Sequence, residues 1–230
     1  MKTTDPNEPS ARLYIVATPI GDSGDITLRA METLRQADVI VCEEQREGAT
    51  LLKKLGITPK EIVTLNEHNE AEKAPELIQR ALLKNEKLAL ISDCGTPVFS
   101  DPGTALIAQA VQLGVPVEPV PGASSLMAAL SVLDFKLERF IFAGFLPRTP
   151  EERRRELAHY RTLRIPVVVM DTPYRLYALL QDVAATFGKG HQVTVAVDLT
   201  QPRETIYRGP VGDIVPKVAE RKAEFILIIH

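Results

Sequence analysis

The sequence predicts an α/β protein of two domains, the first built on a mostly parallel sheet. Three observations carry that expectation. Short apolar runs alternate with helical patterns, as crossover connections between parallel strands require. Many of these runs end in loops rich in Gly, Pro, Asp and hydroxyl residues. The composition also shifts at V-P-G-A-S-S, Val120 to Ser125, where Pro121-Gly122 is a break and an apolar helix begins. The boundary is placed in this turn, giving an N-terminal α/β domain over 1–121 and a C-terminal α/β domain with a mixed sheet over 122–230.

The elements follow in order. Arg12 to Ala17 is a β-rich run, followed by T-P-I-G-D and a helix from Thr27 with Leu28, Met31 and Leu34 on one face. Ala37 to Cys42 reads as a strand ending in the charged cluster Glu43-Glu44-Gln45-Arg46, either a solvated loop or a carboxylate and an arginine at a cleft mouth. A helix near Ala49 to Leu55 stops at Gly56. Glu61 to Leu65 is a short strand feeding N-E-H-N-E, in which His68 is an ordinary loop residue or a base. A helix over Ala71–Lys84, a strand over Leu88–Ile91, a helix over Thr104–Leu113 and a strand over Val115–Val120 complete the first half. The helix Ser124 to Leu133 opens the second half, with both serines at a helix start where backbone amides favour an electron-rich group. Strands then read at Phe140–Ala143, Pro166–Met170, Val193–Val197, Glu204–Arg208 and Glu224–Ile229, the last buried. Helices read at Pro150–Tyr160, from the D-T-P-Y-R turn to Phe187, and over Val211–Arg221. The run Arg153-Arg154-Arg155 is a solvated helix face or a phosphate contact.

The bulk numbers narrow the class. The chain has 230 residues, 45% hydrophobic and 25% charged, the balance of a soluble globular protein. A net charge of -3 does not announce nucleic-acid binding, so any RNA contact must use a local basic patch. Cys42 and Cys94 show no metal-ligand spacing and read as buried thiols in a reducing compartment. No apolar run approaches a membrane span, and the polar stretch Met1 to Ser10 reads as a frayed tail, which places the protein in the cytoplasm.

The chemistry is organised around S-D-C-G-T-P-V-F-S-D-P-G, Ser92 to Gly103, a loop between a strand and a helix. In open α/β sheets ligands bind outside the carboxyl ends of strands. Gly95 and Gly103 can take positive φ, and Pro97 and Pro102 stiffen the loop. Asp93, Ser100 and Asp101 can accept hydrogen bonds from a ligand. The alternative is a connector in which Ser100 or Asp101 caps the next helix. There is no G-x-G-x-x-G and no Walker lysine.

Five blocks in order resemble the tetrapyrrole methylase superfamily of S-adenosylmethionine (SAM) methyltransferases (class III), and within it the ribosomal RNA small-subunit methyltransferase I group. They are L-Y-I-V-A-T-P-I-G (Leu13 to Gly21), D-I-T-L-R-A (Asp25 to Ala30), N-E-H-N-E (Asn66 to Glu70), the Ser92 to Gly103 loop, and V-P-G-A-S-S-L-M-A-A-L followed by G-F-L-P-R. The chain departs from the group's patterns at Glu43-Glu44-Gln45-Arg46, at Met170-Asp171-Thr172-Pro173-Tyr174-Arg175 and at Val197-Asp198-Leu199-Thr200-Gln201. Members of the group typically continue beyond the last strand into a small C-terminal segment, whereas this chain stops at His230.

The resemblance implies two α/β domains with SAM held in the cleft between them, a homodimer, no metal, and a cytidine ribose 2′-hydroxyl of 16S rRNA as acceptor. By position, Pro19, Asp93, Cys94, Gly95 and Val98 of the first domain, with Ser124, Ser125, Met170, Asp171 and Leu199 of the second, would line the cofactor. Glu43, Glu44, His68 and Asp101 are the candidates for a base, and the sequence does not choose among them. Arg29, Arg46 and Arg148 would meet RNA phosphates. Two alternatives stay open: methylation of a small molecule such as a tetrapyrrole, and a SAM-binding protein without catalysis.

Overall fold

The computed structural model describes residues 11–98, 101–219 and 221–230. The chain divides into two compact units, Met1–Ser124 and Ser125–His230. Ser100 and the stretch Met1 to Ser10 lie outside the described residues.

The first unit carries strands β1 (Arg12–Val16), β2 (Val39–Cys42), β3 (Ile62–Thr64), β4 (Lys87–Ile91) and β5 (Val117–Val120). They form one wholly parallel sheet in the order β3-β2-β4-β1-β5. Helices α1 (Leu28–Gln36) and α2 (Gln45–Lys54) cover one face, where Leu34 and Leu52 meet Val16, Ala89 and Ile91. Helices α3 (Glu70–Lys84) and α4 (Thr104–Gln112) cover the other, where Ile78 and Leu106 meet Leu13, Leu88 and Leu90. Alternate residues of β4 therefore enter opposite cores, which is why its sequence is apolar throughout.

Local chemistry sets the helix ends. The Thr27 hydroxyl accepts the Ala30 amide at 3.1 Å and starts α1. Leu28 is 90% exposed, so the buried stripe is Ala30 and Leu34 rather than one containing Leu28. Helix α2 begins four residues before the expected Ala49: Glu44 is its N-cap, and Gln45 and Arg46 are helical. Gly48 obscured this in the sequence. It sits inside the helix because an added Cβ would lie 2.8 Å from the Cys42 sulfur, so the helix passes close over β2.

At α4 the N-cap is Gly103, at φ +135, and not Asp101. Its orphan amides are satisfied from α3, where Glu70 Oε1 accepts from Gly103 N at 2.8 Å and Ala105 N at 2.7 Å.

The second unit has β6 (Ile141–Phe145), β7 (Val167–Asp171), β8 (Gln192–Val197), β9 (Thr205–Pro210) and β10 (Phe225–Ile229) in the order β6-β7-β10-β8-β9. Among the described residues only the β6–β7 pairing of this sheet is parallel. Strand β10 is central and buried along its whole length. Phe225, Leu227 and Ile229 face helices α6 (Pro150–Leu163), α7 (Leu176–Phe187) and α8 (Val211–Ile214). Ile226 and Ile228 face α5 (Ser125–Ser131). The expected helix over Val211–Arg221 breaks after Ile214 into a 3-10 turn, Val215–Val218, because Pro216 lacks an amide donor and crowds the preceding turn.

The capping of α4 by Glu70 is testable. Glu70→Ala should lower stability by about 1–2 kcal/mol in urea unfolding. An unchanged midpoint and slope would show that the cap contributes nothing.

Candidate active site

In the first sheet β4 and β1 are neighbours, yet the chain leaves them in opposite directions. From β1 it runs through α1 to β2; from β4 it runs through α4, on the other face, to β5. Such a switch point leaves a crevice at the carboxyl ends of the two strands. The loops that fill it are bonded together. Thr18 N donates to Gly95 O at 2.8 Å, and its hydroxyl donates to Ser92 O at 3.0 Å. Thr96 donates to Ala123 O at 3.0 Å, tying in the segment after β5. Cys94 Sγ approaches Ile20 O at 3.5 Å.

The expected residues take distinct positions on this frame. Pro19 is buried, and Gly95 is buried at φ +85. A Cβ at Gly95 would lie 3.1 Å from Ile20 Cγ2, so a side chain there is opposed by both conformation and space. Val98 holds φ +75, a left-handed backbone that costs a β-branched residue on the order of 1–3 kcal/mol. Cys42 is buried as expected and its thiol is pushed up to about 11 by burial and then by the charges of Asp93 and Glu44. Cys94 is exposed, not buried, because the loop turns its side chain outward.

Carboxylates gather at this sheet end. Glu43, half-buried just after β2, has its pKa raised first by burial and then by Asp101, Asp93, Glu44 and Glu67. Asp93, at the tip of β4, is also raised, by burial and by Glu47, Asp101 and Glu44. Glu43, Glu44 and Asp101 are thus brought into one field, and the half-buried Glu43 feels it most directly. His68 is set apart in degree: its ring is 84% exposed and lies 3.6 Å from Glu67.

Of the expected phosphate contacts, Arg29 is exposed on α1 and donates to Pro119 O at 3.3 Å. Arg46 is exposed on α2 and Arg148 on the loop after β6. Ser124 closes the first unit and Ser125 is the first residue of α5.

In the second unit, Met170 and Leu199 pack half-buried on the same apolar face as Ile226 and Ile228. Leu199 sits between two non-glycine residues in left-handed backbone, Asp198 at φ +49 and Thr200 at φ +60. Glu204 and Arg221 hold that turn, by Thr200 N to Glu204 Oε2 at 2.7 Å and Arg221 Nη2 to Asp198 Oδ2 at 2.9 Å. Asp171 is enclosed. Its Oδ1 accepts from Thr172 N at 2.7 Å and pairs with Arg175 Nη1 at 3.1 Å, while Oδ2 is buried with no hydrogen-bond partner among the described residues. Burial raises its pKa despite Arg175 and Arg153.

Sequence reasoning missed two of these roles. Glu70 was visible only as the last letter of N-E-H-N-E. Arg153 read as one of three equivalent arginines, but it is only 4% exposed and donates Nε to Asp182 Oδ2 at 2.7 Å. The one available signal was its spacing: on α6 it shares a face with the buried Leu157, four residues on.

The acidic cluster has a pH signature. A carboxyl whose pKa is raised by folding binds its proton more tightly in the folded state, so stability is full below its ordinary pKa, about 4.3 for Glu, and declines as pH rises through the raised value. Glu43→Gln should therefore raise the melting temperature at pH 7, with the gain shrinking toward zero near pH 4. A gain independent of pH would remove the electrostatic explanation.

Comparison with known proteins agrees with this architecture. The tetrapyrrole (corrin/porphyrin) methylase family matches over residues 12–215. The chain is 40% identical over 222 residues to the ribosomal RNA small subunit methyltransferase I of Xylella fastidiosa, covering 95% of this chain and 81% of that protein. To the protein of the same name from Escherichia coli O157:H7 it is 37% identical over 223 residues, covering 95% and 77%. Among solved structures, a cobalt precorrin-4 methyltransferase shares the fold with a TM-score of 0.69 at 19% identity, over 98% of this chain and 97% of that one. A uroporphyrin-III C-methyltransferase from Thermus thermophilus gives 0.63 at 19% identity, over 95% and 94%. With two parallel-strand loops locked at a switch point and a match running through both units, the chain belongs to the tetrapyrrole methylase family of SAM-dependent methyltransferases.

Proposed function

We propose that this chain transfers the methyl group of SAM to the 2′-hydroxyl of a cytidine ribose in 16S ribosomal RNA. The observation that carries the reading is its likeness, over nearly the whole chain, to proteins named ribosomal RNA small subunit methyltransferase I.

When bound, SAM supplies a methyl already activated on a sulfonium, so the protein's part is orientation and electrostatics. The residues of the first unit suit such a group. Asp93, Glu43, Glu44 and Asp101 form a negative field that favours a cationic sulfonium and ammonium. Cys94, Gly95 and Val98 present a loop with two residues at positive φ, and Pro19 on the loop after β1 is buried. Ser124, the last residue of the first unit, offers a hydroxyl; in the second unit Ser125 offers another, Met170 and Leu199 offer apolar surface, and Asp171 fixes the turn at Thr172.

A ribose hydroxyl is a weak nucleophile, and a positioned base contributes roughly 10²–10⁴ in rate. Glu43 is the base we assign, because among the candidates it sits half-buried at the end of β2, and burial and then the charges of Asp101, Asp93 and Glu44 raise its pKa. Glu44 and Asp101 act on it through their charge. The exposed guanidinium groups of Arg29, Arg46 and Arg148 meet phosphates of the RNA, as a chain of net charge -3 requires local contacts.

The working form is a homodimer in the cytoplasm. Among the described residues no helix is long and apolar enough to cross a membrane. The exposed Leu82 and Leu83 of α3, with Val111 and Leu113 at the end of α4, give apolar surface for a second copy. Sedimentation at micromolar concentration should give twice the monomer mass, and a monomer would remove that assignment.

The central test incubates the protein with labelled SAM and 30S subunits or free 16S rRNA. Label should appear in RNA on a 2′-O-methylated cytidine. Label confined to a small-molecule acceptor, or SAM binding without any transfer, would overturn the reading. As a control, Gly95→Ala should weaken SAM binding about tenfold while the protein stays folded, since the left-handed backbone alone costs an alanine about 1–2 kcal/mol.

A further inference from the structure

Two ion pairs of the second unit, one buried and one half-buried, converge on one short loop. Arg153 on α6 pairs with Asp182 on α7, and Arg175 pairs with Asp171 at the tip of β7. Neither arginine spends its fork on its carboxylate alone. Arg153 Nη1 also donates to Arg148 O at 3.1 Å and Pro147 O at 3.4 Å. Arg175 Nη2 donates to Pro147 O at 2.6 Å and Leu146 O at 3.2 Å. Three consecutive carbonyls are therefore held by two guanidiniums that share the middle one.

Buried ion pairs are poor sources of net stability and are better retained for fixing a unique arrangement. Here the thing fixed is a loop whose side chain at Arg148 is exposed while its backbone is clamped. Pro147 adds a locked φ at the shared carbonyl. The loop leaves β6 directly, and its clamp reaches back to the last residue of β7, next to Met170.

We infer that Arg153 and Arg175, oriented by Asp182 and Asp171, are positioning residues that hold the Leu146–Arg148 loop so that the Arg148 guanidinium is presented to the RNA backbone. This rests on the reading of Arg148 as a phosphate contact, and it adds a cause for that residue's placement. Lysine cannot substitute for either arginine, because a single ammonium lacks the planar fork that spans a carboxylate and two carbonyls.

The experiment uses the full chain with Arg175→Ala and Arg175→Lys, and with Arg148→Ala as companion. In Arg175→Ala, hydrogen exchange at the Leu146, Arg148 and Thr149 amides should rise at least tenfold. KM for RNA should rise at least fivefold, while kcat at saturating SAM stays within twofold. Arg175→Lys should recover less than half of the exchange protection. Arg148→Ala should raise KM similarly with exchange unchanged. Unaltered exchange in Arg175→Ala, or a loss of kcat and SAM affinity with KM unmoved, would overturn the inference. Should Arg175→Ala fail to fold, Asp182→Asn, which keeps shape and removes charge, carries the same readings. If the wild type labels no RNA, the proposed function falls by that result alone, and amide exchange still decides whether the arginines fix the loop.

Discussion

The amide of Thr18 donates to the carbonyl of Gly95 at 2.8 Å, the shortest of the bonds that join the two loops on which the first unit's chemistry depends. Thr18 is buried and its hydroxyl is committed to Ser92 as well, so the loop after β1 cannot move independently of the loop after β4. A parallel sheet makes this possible. Its strands all end on one side, and the chain leaves the neighbours β1 and β4 toward opposite faces, which sets their two loops side by side at that end. The positive φ at Gly95 lies between the bond from Thr18 N to its carbonyl and the bond from Thr96 to Ala123 O, which fix the turn on both sides.

The second unit solves a different problem by a different means. Its turns are held by carboxylate–arginine pairs in addition to backbone bonds such as Asp198 N to Glu224 O at 2.8 Å. Asp171, Asp182 and Asp198 each engage an arginine, and in each case the arginine goes on to bind backbone carbonyls or hydroxyls nearby. Removing one member of a buried pair strands the other, at a cost of about 3–5 kcal/mol. The geometry of these turns is thus coupled to the integrity of α6 and α7, which carry Arg153 and Asp182.

Much of this architecture was legible in the residues, and the parts that were not share a cause. Every strand was visible because β-rich apolar runs bounded by Gly and Pro leave a local signal, and β10 announced itself through five apolar residues in succession. The Ser92–Gly103 loop stood out by composition, and the left-handed turn at Gly95 follows from its glycine. What escaped reading was decided at a distance. Helix α2 starts at Gln45 because a helix can carry Gly48 where it must pass over Cys42. Helix α4 is capped by a glutamate more than thirty residues earlier in the chain. Arg153 is buried because Asp182 waits for it on another helix. The exposed position of Leu28 likewise reflects which side of α1 the sheet happens to cover, and no local pattern encodes that.

Strand β10 lies between β7 and β8, which precede it in the chain, and it is the middle member of its sheet. During synthesis, then, β7 and β8 emerge with no partner between them, and the row Val193, Val195 and Val197 has no neighbour on that edge. Closure of the sheet needs the insertion of Phe225–Ile229, a contact of long sequence separation that costs loop entropy before it returns any burial. The latest-made strand is therefore the keystone. Until it arrives the nascent second unit exposes open, apolar strand edges, the kind of surface that chaperones shield and that other chains capture by adding a strand of their own.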